Sequence, residues 1–168
     1  MRLRILAKTE KLPVIYRHRI LALIKEALKG SNQKYKDILY GEEKPKPFTF
    51  SLLLPKEREQ KREVFSLSDG IEIEDYVFYF PKDSFLSLLI SSYDYEFLMN
   101  LYNGLLKIKS FAFNKEITIN IYGFSLQEDP KIEEDVVVFK TLSPILVENK
   151  DGKPLLKENG SFDSNLLN

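Results

Sequence analysis

The residues best suited to chemistry cluster early in the chain, where Arg17, His18 and Arg19 follow Tyr16. A histidine titrates near neutral pH and can exchange a proton or bind a ligand. Arginines beside a tyrosine suit phosphate contacts and base stacking. The same four residues also suit the solvated face of a helix, and both readings stand at this point. The carboxylates offer less. Glu42 with Glu43, and Glu133, Glu134 and Asp135, are neighbours in sequence. They read as solvated loop charge, without the spacing of a calcium loop or a second cluster for a two-metal site.

The chain has no cysteine and one histidine, His18. Disulfides, thiolate zinc sites, a cysteine nucleophile and a multi-histidine metal site are therefore excluded. There is no Walker loop, dinucleotide fingerprint, GxSxG elbow or kinase motif. No metal and no cofactor is expected. Chemistry without metal remains open, and RNA cleavage is one example because the 2′-OH of RNA is its own nucleophile. A protein then has only to align that hydroxyl with the phosphate, move protons and stabilise charge. Lysine and tyrosine can do this, so Lys25, Tyr40 and Lys46 are chemically admissible, although their spacing alone does not select them.

The 168 residues carry 25 basic and 25 acidic side chains and are 43% hydrophobic. That balance suits a folded domain rather than a disordered chain. The charge is unevenly spread: residues 1–62 hold 16 Lys/Arg against 7 Asp/Glu, and residues 63–168 hold 9 against 18. A basic half attracts polyanions even in a neutral chain, although two solvated surfaces or a head-to-tail self-contact would explain it too. No run of about 18 apolar residues is present, so no membrane-spanning helix is expected. The apolar stretch of the opening MRLRILAKTEK is too short for a secretory leader.

The periodicity predicts an opening strand over Arg2–Lys8 with Leu3, Ile5 and Ala7 inward. A helix is predicted over 16–29 with Ile20, Leu23, Ile24, Ala27 and Leu28 on one stripe, ended by Gly30. Ser31 or Asn32 can cap a short second helix through about Leu39. Residues 40–47 read as a loop and 48–54 as a strand. The charged run 55–63 reads as a hairpin tip or loop. Further strands are predicted near 64–67, 75–80 and 85–91. A helix over 94–107 follows, capped by Asp94, with Phe97, Leu98, Leu101 and Leu105 inward. Strands at 116–126 and 136–147 close the pattern, with Pro144 bending the last and a turn at Asp151 and Gly152. The order is that of an α+β, ferredoxin-like βαββαβ fold, an antiparallel sheet with helices on one face. The strands over Arg2–Lys8, 48–54, 75–80 and 116–126 are expected to share that sheet.

Four segments resemble the CRISPR-associated repeat-RNA endoribonuclease family of the RAMP superfamily. They are the opening MRLRILAK, the stretch LIKEALKGSNQKY, the segment KPKPFTFSLLLP, and FKTLSPILVENKDGK. In the last, Thr141, Leu142, Ser143, Pro144 and Ile145 match the family's pattern. Asn103, Gly104, Leu105 and Leu106 add to it. The family has two ferredoxin-like domains in tandem, with a glycine-rich loop near the end of the second. The resemblance therefore implies a ferredoxin-like RAMP domain over residues 1–150, with 151–168 a linker and the start of a second domain.

It also implies a function. The family binds precursor CRISPR repeat RNA, as single strand or hairpin, and cleaves it without metal to a 2′,3′-cyclic phosphate. Position by position, its active-site tyrosine, histidine and lysine fall on Lys25, Tyr40 and Lys46, so only the lysine is kept. By the resemblance, Lys25 protonates the leaving 5′-oxygen, Tyr40 orients the 2′-OH, and Lys46 holds the pentacoordinate phosphate. Arg17, His18 and Arg19 are the expected RNA-binding residues. The altered site implies weak cleavage or none by this chain alone. It leaves open a non-catalytic repeat-RNA binder, or a structural RAMP subunit of a CRISPR effector complex. A homodimer or effector partners, and a cytoplasmic location away from membranes, follow from the same resemblance.

Overall fold

A computed structural model describes residues 1–68, 70–128, 131–133 and 135–138. The chain divides into two compact units, Met1–Lys131 and Ile132–Asn168. All the regular elements described here lie in the first. In the second, residues 136–138 carry no strand. The rest of the strand predicted over 136–147, the motif around Pro144, and the expected boundary at 150 and 151 lie outside the described residues.

The frame begins with β1 (Arg2–Lys8), in which Leu3, Ile5 and Ala7 are buried as the alternation predicts. It continues through β2 (Lys11–Pro13), α1 (Arg17–Ser31), α2 (Gln33–Gly41), β3 (Phe48–Leu53), β4 (Glu59–Ser68) and β5 (Ile71–Tyr79). It ends with β6 (Leu86–Ser92), α3 (Tyr95–Leu105), β7 (Ser110–Ala112) and β8 (Thr118–Gln127). Five strands form one antiparallel sheet in the order β3-β6-β1-β8-β7. With α1 and α3 packed together over it, this is the expected ferredoxin-like fold, built on β1, α1, β3, β6, α3 and β8.

One sheet assignment is corrected. The strand predicted over 75–80 belongs to β5, which lies in a separate three-stranded sheet of order β2-β5-β4, and β6 takes its place in the main sheet. Alternation shows that a strand has one buried face but not which sheet buries it. The charged run 55–63 is corrected as well, because residues from Glu59 onward extend as β4 along β5. That part of β4 is almost wholly exposed, and Phe65 is the buried anchor of the strand.

The helices follow their apolar stripes. Ile20, Leu23, Ile24, Ala27 and Leu28 of α1 are buried, as are Phe97, Leu98, Leu101 and Leu105 of α3. Gly30 lies inside α1 rather than ending it. The break comes at Asn32, whose backbone N–H donates to Leu28 O at 2.8 Å. Its side-chain Oδ1 accepts from Tyr35 N at 3.0 Å and so caps α2. Tyr40 and Gly41 extend α2 beyond the predicted end, so the loop before β3 starts at Glu42. Asp94 caps α3 through Phe97 N at 3.1 Å and accepts from Tyr35 Oη at 2.9 Å. Burial and that carboxylate push the Tyr35 phenol up, so it remains a donor.

At Gly104 the backbones of α3 and α1 come into close contact. A Cβ there would stand 1.8 Å from Ala27 O and 2.4 Å from Ala27 C, both backbone atoms of α1. Nothing flexible can give way, so α3 would have to lift. Gly104→Ala should destabilise the domain by at least about 2 kcal/mol. Urea unfolding at pH 7 measures it, and an unmoved midpoint would refute the tight crossing.

The second sheet is tied by charge. Lys11 Nζ of β2 lies 2.8 Å from Glu63 Oε1 of β4, and Tyr79 Oη of β5 donates to the other oxygen of Glu63. The hydrogen bonds from Lys11 and Tyr79 hold the Glu63 carboxyl below the usual carboxylate range. A depressed carboxylate contributes stability above its unfolded pKa, and the contribution is lost as pH falls through the folded value. Glu63→Gln should therefore cost about 1 kcal/mol at pH 7. It should also flatten the loss of stability below about pH 4.3, where an unfolded glutamate protonates. Unfolding curves from pH 7 to pH 3 test both, and parallel profiles for the two proteins would contradict the assignment.

Candidate functional site

Lys25, Tyr40 and Lys46 come from α1, the last turn of α2 and the loop before β3, and the fold brings them together. Lys25 Nζ stands 4.6 Å from the centre of the Tyr40 ring, and Lys46 Nζ stands 5.4 Å from it. Each is a cation–π contact. Lys46 also donates to Leu39 O and Glu42 O, at 2.8 Å each. These are carbonyls at the end of α2, where a cation offsets the unsatisfied acceptors and the negative end of the helix dipole. An ammonium has three N–H donors, so one remains free. Neither lysine is ion-paired with a carboxylate among the described residues.

The Tyr40 hydroxyl points inward. It is buried and finds no hydrogen-bond partner among the described residues. Burial pushes the phenol up, which keeps it protonated near neutral pH. What Tyr40 offers outward in this geometry is its ring, with two ammonium groups beside it. Two ammonium groups without a carboxylate partner among the described residues give this corner of the domain a local positive charge, which attracts anions.

Arg17, His18 and Arg19 do not form one surface. Successive helical residues turn about 100° apart, and these three fan out. Arg17 is exposed, with its guanidinium carbon 4.9 Å from the Phe50 ring of β3. His18 lies edge-on to Phe113, with ring centres 6.1 Å apart. Arg19 folds back on β7, donating to Ala112 O at 2.5 Å and stacking 5.1 Å over Phe111. Its Nε is buried without a partner. Arg17 thus shares the β3 side of the domain, while Arg19 is engaged in holding α1 to β7.

A second basic row follows from the alternation of β1, which sets Arg2, Arg4 and Lys8 opposite its apolar face without giving them a role. Arg2, Arg4 and Lys8 of β1 lie on the sheet face away from the helices. Arg2 Nε donates to Ser91 Oγ at 3.0 Å, and Arg4 donates to Ser87 Oγ at 3.0 and 3.2 Å. The available signal was the alternation itself, in which every second residue of β1 but Leu6 is basic. No cluster of metal-binding side chains is present among the described residues, and no helix there is long and apolar enough to cross a membrane.

No family model matches the chain, and no curated protein matches it. Among solved structures it is similar to a Cas6-related gene product from Pyrococcus furiosus, with a TM-score of 0.62 and 22% identity over 89% of this chain and 56% of that one. It is also similar to a RAMP protein described as binding different RNA substrates, at TM-score 0.64 and 19% identity over 89% and 57%. A third is a CRISPR-associated protein Cas6, at TM-score 0.57 and 25% identity over 95% and 63%. The chain shares its fold with these Cas6 and RAMP proteins. It spans less than two thirds of the length of each of the three. Lys25 lies midway along α1, while Tyr40 and Lys46 lie where α2 passes into β3, the second strand of the ferredoxin-like sheet.

The buried Tyr40 hydroxyl generates a stability prediction. A desolvated hydroxyl without a partner costs about 1–3 kcal/mol, and a residue of the same shape without it recovers part of that. Tyr40→Phe should stabilise the protein by about 1 kcal/mol in urea unfolding. A loss of similar size would mean that the hydroxyl is satisfied in solution.

Proposed function

We propose that the chain is the RNA-binding, N-terminal part of a CRISPR repeat-RNA endoribonuclease, and that Lys25, Tyr40 and Lys46 meet the scissile phosphate. The observation that carries this is the convergence of two unpaired ammonium groups on the Tyr40 ring, at the three positions that the family resemblance selects. The Cas6/RAMP fold supports it, and so does the excess of basic residues in the first 62.

In the proposed reaction the 2′-oxygen forms a bond to the adjacent phosphorus and the bond from phosphorus to the 5′-oxygen breaks. The 2′-OH proton leaves to water, and Lys25 supplies a proton to the departing 5′-oxygen. The free N–H of Lys46 holds a phosphate oxygen while negative charge builds there. The products are a 2′,3′-cyclic phosphate and a 5′-hydroxyl. The ring of Tyr40 positions both ammonium groups; its hydroxyl would reach a 2′-OH only by turning outward. No metal takes part in this scheme.

A second reading has its own support. Two of the three Lys46 donors are occupied by the end of α2, and the Tyr40 hydroxyl faces inward. That geometry favours holding RNA over cutting it, as in a non-catalytic relative or a structural subunit of an effector complex. Lysine is also a slow acid at neutral pH, its ordinary pKa being about three units higher.

The two readings share binding and differ in turnover. Labelled repeat RNA from the host's own array should bind this chain, with affinity falling as salt rises. Lys25→Ala with Lys46→Ala should weaken binding about tenfold, and Arg17→Ala should reduce the salt slope by about 0.7. In EDTA, cleavage by this chain alone should be very slow or absent. Binding that ignores the double substitution would reject the proposed phosphate site. Fast cleavage at one repeat position, abolished by Lys46→Ala, would reject the binding-only reading.

A further inference from the structure

A cleft of about 520 Å³ lies across the domain from Tyr40, between the turn joining β1 to β2, Lys82 after β5, and the start of β8. Its size suits one small ligand. Its rim combines cations, carboxylates, an amide and the rings of Tyr79 and Tyr122, which is unlike an apolar ligand pocket.

The rim is shaped by a β-bulge. Leu6 pairs with Gly123 and Ala7 pairs with Ile121, so Tyr122 has no partner on β1. The extra residue changes the parity of β8: Ile119 and Ile121 face the core before it, and Phe124 after it. Tyr122 is thereby turned out beside the cleft, 63% exposed. Bulges re-aim side chains in this way and are frequent next to binding sites.

Tyr122 is accompanied by a cation with little else to do. Lys8 Nζ stands 5.5 Å from the Tyr122 ring and 4.4 Å from Phe85, which meets Tyr122 edge-on at 5.5 Å. The carboxylate nearest to Lys8 is Asp83 at 3.8 Å, its side chain 98% exposed, and such a pair contributes little. Lys11 differs, being engaged by Glu63 at 2.8 Å and Glu116 at 3.7 Å. Lys82 lines the cleft as a second cation. An exposed aromatic face beside two available ammonium groups is the combination that single-stranded nucleic acids use, bases on the ring and phosphates on the cations.

We infer that this cleft is a second RNA subsite, which takes one nucleotide of a single strand with its base on Tyr122 and a flanking phosphate on Lys8 and Lys82. The inference rests on the RNA-binding reading above and adds a site remote from Lys25, Tyr40 and Lys46. Glu116 gives the subsite a preference. A carboxylate accepts from the exocyclic amino group of cytosine and repels the carbonyl oxygen that uracil carries there. Cytosine is therefore the better occupant of the two.

The test uses the full chain and fluorescently labelled 12-mers of oligocytidylate and oligouridylate, titrated by anisotropy at two salt concentrations. Wild type should bind the cytosine strand more tightly. Tyr122→Ala should weaken that binding about tenfold, within the range for one lost base stack, and Tyr122→Phe should leave it nearly unchanged. Lys8→Gln should lower the salt slope by about 0.7, and Glu116→Gln should erase the preference between the strands. Lys25→Ala with Lys46→Ala should weaken both strands and keep the preference. Unfolding midpoints near wild type confirm that the variants are folded. Wild-type affinity in Tyr122→Ala, with loss in the Lys25 and Lys46 variant, would overturn the subsite and leave the RNA reading standing. No binding of either strand by wild type would overturn both.

Discussion

The missing side chain at Gly104 lets the backbone of α3 lie against that of α1 at Ala27. A crossing this close leaves α1 little freedom to rotate, because its buried stripe is gripped by α3 and by the sheet together. Lys25 is two residues from Ala27 and so lies about 200° around the helix, on the flank away from α3. That flank faces α2. Fixing one side of the helix against α3 therefore aims the other side at Tyr40. Asn32 completes the arrangement by ending α1 and capping α2 with one residue, so the two helices keep a set relation. The position of the candidate site is thus a consequence of packing on the far side of α1.

Much of this frame is legible in the sequence wherever an element has one buried face. β1, α1 and α3 each carry a regular apolar period, and the residues picked from it are the ones that are buried. β2 and β7 are three residues long, too short to show any period. The first half of β4 has no buried face, because the ladder to β5 holds it in place, and a run such as EQKRE reads as solvent-exposed loop. The strand in β5 was visible, but its membership in the second sheet was not. That choice depends on which partner is spatially near, which no local pattern records.

The site residues divide differently. Lys25, Tyr40 and Lys46 were not selected by their spacing, and only the family resemblance joined them; the fold then sets both lysines beside the Tyr40 ring. Arg17, His18 and Arg19 were legible as a cluster because they are adjacent, and adjacency in a helix spreads side chains apart. Tyr122 had a usable signal. In TINIYGFSLQ the apolar residues move from odd positions at Ile119 and Ile121 to even ones at Phe124 and Leu126, and such a change of parity is how a bulge is written in sequence.

The central place of β1 bears on the order in which the domain can assemble. Its two neighbours are far along the chain: Leu3 pairs with Ile90 on one side and with Leu126, 123 positions on, at the other. A growing chain that has made both early helices still has a first strand without either partner. Closing such long loops is entropically costly, and topologies of this kind fold slowly. During synthesis the two edges of β1 therefore stay unpaired until β6 and then β8 emerge. The charged β4–β5 hairpin comes out in between and can form locally, since its ladder links near neighbours. The central strand of the main sheet is the first to be made and among the last to be fully paired. Until then the first 90 residues depend on their charged surfaces to stay in solution.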